Sequence, residues 1–207
     1  MQSIKTFKFA ALALATTLAT LAASPSALAA DGVRVRGTVT SVTGDTLLVK
    51  SRDGTDVSIK LNMGWKAGGI KKAQLADIKP GDFVGIASLP QAAGGDGALE
   101  VLIFPPAMRG TGEGSYGWDL KPNSSMTNGA VSEAVQSVDG TTVNVVYHGQ
   151  SKKITIAPNT PIVTFAPAVN ADVKPGAAVF VPADRAEDGK LSTTRVVVGK
   201  DGVVPPM

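Results

Sequence analysis

VRGTVTSVTGDTLLV (residues 35–49) decides the fold, because it returns ninety-six positions later as VSEAVQSVDGTTVNV (residues 131–145). Val35, Val39, Ser41, Val42, Gly44, Thr46 and Val49 are matched in order by Val131, Val135, Ser137, Val138, Gly140, Thr142 and Val145. Further along, DIKPG (77–81) returns as DVKPG (172–176), and DGAL (96–99) as DGKL (188–191). Self-similarity that keeps its order marks a duplicated structural unit.

Within the unit, apolar and polar residues alternate. In 33–42, Val33, Val35, Gly37, Val39 and Ser41 fall on one face and Arg34, Arg36, Thr38 and Thr40 on the other, the pattern of a half-buried strand. Further strands are expected over 46–50, 57–61, 83–89 and 99–104, and in the second copy over 130–138, 142–147, 153–156, 179–182 and 194–198. Asp53-Gly54 is a hairpin signal. Residues 62–76 read as irregular, ending in a helical turn around 74–78. Lys79-Pro80-Gly81-Asp82 has the Pro and Gly that a type II turn needs at its centre. The expectation is an all-β chain of two tandem small five-stranded OB-like β-barrels joined by a long Gly-rich segment, with an SH3-like barrel or small sandwich left open.

The parts divide as a signal peptide (1–29), a first barrel repeat (30–104), a joining segment (105–128), a second repeat (129–199) and a C-terminal tail (200–207). Lys5 and Lys8, the apolar run 9–23 and the A-x-A signal Ala27-Leu28-Ala29 predict a secretory leader cleaved after Ala29. The protein is therefore expected in the periplasm. Removing two lysines and no acid lowers the formal charge from +3 to +1, which leaves no basic footprint for nucleic acid. The chain has no cysteine, so thiol nucleophiles, thiolate metal sites and disulfides are excluded together.

The joining segment, PPAMRGTGEGSYGWDLKPNSSMTN, has no counterpart between the repeats' own strands. A connection of this length is usually functional or disordered. Gly110, Gly112 and Gly114 lack the Lys-Ser/Thr and following helix of a phosphate loop, and Ser115 lacks the flanking glycine of a nucleophile elbow. His148 is the only histidine and is expected at a hairpin tip; with scattered methionines it makes no metal spacing. Asp96 and Asp188, each before a glycine, read as turn residues. Glu113 and Asp119 could form a catalytic carboxylate pair only by converging in a pocket. Met108, Arg109, Glu113, Tyr116, Trp118 and Asp119 are instead the candidate partner-binding residues, since Arg, Tyr and Trp combine large buried area with polar handles.

The leader, the two DxKPG units, the string MRGTGEG followed by WDL and MTN, and the ending DGVVPPM together resemble a group of bacterial exported proteins of unknown function, often labelled "metal ABC transporter permease". The resemblance implies a compartment and an architecture. It also implies a histidine at the place of Ser115, which this chain lacks. A permease would need several membrane-spanning helices, and the only long apolar run is the leader. The functional expectation is a non-enzymatic periplasmic binding or adaptor protein for an envelope protein or small ligand, with no cofactor and no metal site. The alternative is a metal or small-ligand accessory protein of a transport system.

Overall fold

The alternating stretch of the first copy forms β1 (Asp31–Thr43), β2 (Thr46–Ser51) and β3 (Asp56–Lys72). Two short hairpin turns join them, with Gly44 at φ 59° and Gly54 at φ 86° supplying the left-handed backbone. The computed structural model describes residues 31–92, 94–137 and 140–206. The leader expected over 1–29 lies outside the described residues, as does Val138 at the end of an expected strand. The chain continues through β4 (Phe83–Pro90), β5 (Asp96–Phe104), β6 (Gly114–Gly117), β7 (Ser125–Ser137), β8 (Gly140–Tyr147), β9 (Gln150–Ile156), β10 (Ile162–Ala166), β11 (Ala178–Arg185) and β12 (Leu191–Gly199). Among the described residues the only helical elements are three short 3₁₀ turns, so the fold is all-β.

One closed barrel runs β1-β2-β3-β12-β11 and back to β1, antiparallel throughout except for the parallel pair β3–β12. In terms of repeat position this is strand order 1-2-3-5-4-1, the closure of an OB barrel. Strands β7, β8, β9, β5 and β4 follow the same order and close through a short parallel bridge, Asp96 to Ile154 and Gly97 to Thr155. The repeat unit thus has the expected five strands, but the barrels are not one repeat each. Each takes its first three strands from one copy and its last two from the other.

The crossing is made by a segment expected to be irregular. Residues 62–72 are strand, because β3 runs on past its barrel to pair with β12 on one side and β10 on the other. Between Leu61 and Lys66 the register against β12 slips, with Gly64 at φ 77° inside the bulge. The second copy makes the same journey in two pieces, β9 and β10, and β10 matches none of the expected strands. Ile70 and Phe165 face one another where β3 and β10 cross. The sheet order β12-β3-β10-β5 therefore bridges the two barrels as one continuous surface.

The DxKPG motif serves this exchange. Gly81 (φ 94°) and Gly176 (φ 85°) sit in turns closed by Asp82 N–H to Lys79 O at 3.0 Å and Ala177 N–H to Lys174 O at 2.9 Å. Each motif then bonds to the opposite repeat: Gly81 N–H to Val131 O at 2.7 Å, and Gly176 N–H to Val39 O at 2.9 Å. The leading aspartates anchor the preceding 3₁₀ turns by accepting the N–H of Gln74 and of Val169.

Three cores result. One fills the first barrel around Val39, Leu47, Val49, Ile59 and Val181, and a second fills the other around Val84, Ile86, Val143, Val145 and Ile154. The third lies on the bridging sheet between them, built from Ile70, Leu102, Val163, Phe180 and Val197, with Phe104, Phe165 and Val203 packed against it. Burying each such side chain contributes about 1.5–3 kcal/mol, so the crossing region adds to stability in its own right.

Candidate functional site

The joining segment is a strap across the bridging sheet. Pro106–Met108 form a 3₁₀ turn, and β6 pairs antiparallel with the first residues of β7, Gly114 opposite Asn128 through Gly117 opposite Ser125. Strand β7 thus starts inside the segment, earlier than the expected start at Ala130. The Arg109 guanidinium donates to Gly81 O, and the Glu113 carboxylate accepts the His148 N–H at 3.0 Å, so both tie the strap to the second barrel. His148 is exposed at the β8–β9 turn with φ 44°.

At its far end the strap reaches the first barrel. Asp119 accepts two hydrogen bonds from Arg36, at 3.0 and 2.8 Å, and lies 3.8 Å from Arg34. Burial works to raise the Asp119 carboxyl, yet the Arg36 bonds and the charges of Arg36 and Arg34 hold it below the usual range. The Arg34 guanidinium lies over the Trp118 ring at 4.0 Å, and Tyr116 meets the same ring edge-on at 6.2 Å. A depression of about 370 Å³ between Arg34, Arg36 and Arg52 is lined by Asp119 itself, so part of its positive charge is neutralised in place.

Under the strap lies a cavity of about 260 Å³. Its floor is the third core: Leu102 and Phe104 of β5, Phe165 of β10, Phe180 of β11 and Val197 of β12. Its roof is Met108, Thr111, Gly112, Tyr116 and Trp118, with Met126 and Asn128 of β7 at the side. Asn128 donates to the Tyr116 hydroxyl and to Thr111 O, each at 3.2 Å, and so holds the roof in place. Burial raises the Tyr116 phenol, opposed by Arg34 and by that Asn128 bond. Gly85 is needed here for close approach: a Cβ would stand 2.6 Å from Asn128 Oδ1 and 3.1 Å from Phe104. The structural counterpart of Gly85 in the second copy is Phe180, so the copies diverge where the cavity is built.

Beside the roof is an unusual acid. Glu100 of β5 is 2% exposed, and burial pushes its carboxyl up to about 7 against the opposing pull of Arg36 and Arg52. It lies beside the Trp118 indole, but no well-formed hydrogen bond joins them. Both Glu100 oxygens and Trp118 Nε1 are buried and unpaired among the described residues.

Of the six candidate residues, Met108, Tyr116 and Trp118 line the cavity, while Arg109, Glu113 and Asp119 anchor the strap. Glu113 and Asp119 do not converge: they engage different elements, and none of the cavities above is lined by both. Sequence reading missed Phe104, Phe165, Phe180, Glu100, Arg34 and Arg36, since only the exchange of strands places them under the strap. Asp96 is also more than a turn residue. It is 8% exposed, accepts from Ser88 Oγ at 2.7 Å and pairs with Lys152 at 2.8 Å, which pins β5 to β9. Asp188 does bond locally, to Lys190 in its own turn.

Among the described residues no group of three or more His, Cys, Asp or Glu side chains could hold a metal ion, and no helix is long and apolar enough to cross a membrane. No family model, curated protein or solved structure matches this chain.

Proposed function

We propose that this is a non-enzymatic periplasmic binding protein whose ligand is a small, largely apolar molecule held between the two barrels. The observation that carries the reading is the cavity beneath the strap, lined by aromatic side chains from both barrels and from the joining segment. Small-ligand sites are concave, mostly apolar and furnished with a few fixed polar groups. Asn128 and Arg195, with the hydroxyls of Thr111 and Tyr116, are among the polar groups at this one. Export rests on the leader sequence, and N-terminal sequencing of the secreted protein should give Ala30 as the first residue.

The geometry favours a small ligand over an envelope protein as partner. An adaptor strap would turn both aromatics outward, whereas here Tyr116 is only partly exposed, its hydroxyl held by Asn128, and Trp118 Nε1 is buried. The test is calorimetric titration with phenylbutanol, a neutral aryl alcohol. Wild type should bind it, and Thr111→Trp, which places a ring at the exposed rim without altering the floor, should not. Absence of binding by wild type, or equal binding by the variant, refutes the reading.

A further inference from the structure

The cavity does not end at its roof. Arg195 of β12 lines it and also lines a neighbouring open groove of about 550 Å³, whose other charged residues are Arg34, Lys66 and Asp184. Three cations and one carboxylate give this groove a net positive lining. Lys66 and Arg195 are exposed, and among the described residues neither has an acidic side chain within ion-pair distance. Arg34 joins the two spaces from the other side, because its guanidinium rests on Trp118 of the roof while it also lines the groove.

We infer that cavity and groove form one site for a small anionic amphiphile, with an aryl or short acyl body among Phe104, Phe165 and Phe180 and a carboxylate facing Arg195, Lys66 and Arg34. The inference rests on the binding role proposed above and names its ligand class. Size decides the body. A cavity of roughly 150 Å³ accommodates one benzene ring, so about 260 Å³ takes a ring with a short chain and excludes a long lipid tail. Charge decides the head. A carboxylate there gains charge-assisted hydrogen bonds, which are about twice as strong as neutral ones, and Arg195 has no competing partner to give up. Asp184 sets a limit on the charge, favouring one anionic group over a polyanion.

The test compares phenylbutyrate, phenylbutanol and phenylbutylamine by calorimetric titration at low salt. Phenylbutyrate should bind about tenfold more tightly than the alcohol, and the amine more weakly than either. The double variant Lys66→Ala/Arg195→Ala changes only exposed side chains, so it should keep the wild-type melting temperature; whatever it costs the alcohol, it should bring carboxylate and alcohol to equal affinity, and retention of the wild-type preference for the anion would overturn the inference. If alcohol and carboxylate bind equally to wild type, the inference fails and the binding role survives; if none of the three binds, both fail. Sedimentation with phosphatidylglycerol vesicles separates a free anion from a lipid surface. Co-sedimentation abolished by the double variant would overturn the inference in favour of a membrane headgroup, and no co-sedimentation supports it.

Discussion

Glu100 is the residue at which burial and charge are most opposed. Its carboxyl faces Arg36 of β1, Arg52 in the β2–β3 turn, and Asp119 and Trp118 of the strap. Its ordinary value is 4.5 and its folded value about 7, so between these the folded chain holds a proton that the unfolded chain has released. Stability must therefore fall as pH rises through this window, by an amount on the order of 3 kcal/mol. Glu100→Gln removes the ionisation and keeps the shape. Its melting temperature should exceed that of wild type by several degrees at pH 8 and match it near pH 4; an equal gain at both would place the effect in packing instead. Asp96 is the converse case, a buried acid with its partners in place. Asp96→Ala leaves the Lys152 ammonium without its counter-charge, holding only Ser125 Oγ, and should cost about 3 kcal/mol in urea unfolding, while adding Lys152→Met should recover much of it. Neither role was legible in the sequence. Asp96 reads as a turn residue from its following glycine, and nothing in a lone Glu between Leu99 and Val101 tells which barrel its side chain will enter.

Among the elements, the DxKPG turns and the strap were read with different success, for a physical reason. The turns are local: Pro and Gly at the centre impose a backbone shape whatever surrounds them, and Gly81 and Gly176 adopt the left-handed geometry that the pattern requires. No heavy atom lies within 4 Å of a Cβ built at either position, so substitution there tests conformation alone. Gly81→Ala and Gly176→Ala should each cost roughly 1–2 kcal/mol. Gly68→Ala, also in open space but without a positive φ, should be near neutral. Equal losses at all three positions in denaturant melts would mean that turn geometry is not what these glycines supply. The strap, by contrast, is defined by what it lies against. Its composition singled out Met108, Tyr116 and Trp118, yet the aromatic floor beneath them joins Phe104, just before the strap, to Phe165 and Phe180 of two later strands, and no local pattern places those together.

For the whole molecule, the repeat made the number and order of strands legible and left their partnership open. Both copies present the same edges, so the last two strands of either could close either barrel. The choice is made by β3, which continues as strand through 62–72 and carries the chain across, and a sequence with Gly68-Gly69 in that stretch reads as a loop. The consequence is mechanical. The first barrel cannot close without β11 and β12, and the second cannot close without β4 and β5. Neither core can be lost while the other remains. Tandem barrels built one from each repeat would be free to melt separately, whereas these should unfold in a single transition with calorimetric and van't Hoff enthalpies equal. A fragment of residues 31–104 should lack cooperative unfolding when alone and regain it when mixed with a fragment of residues 105–206. Two resolved transitions in the intact chain, or a first-repeat fragment that melts cooperatively by itself, would show that each copy closes on its own strands and that the cavity between the barrels is not built by their exchange.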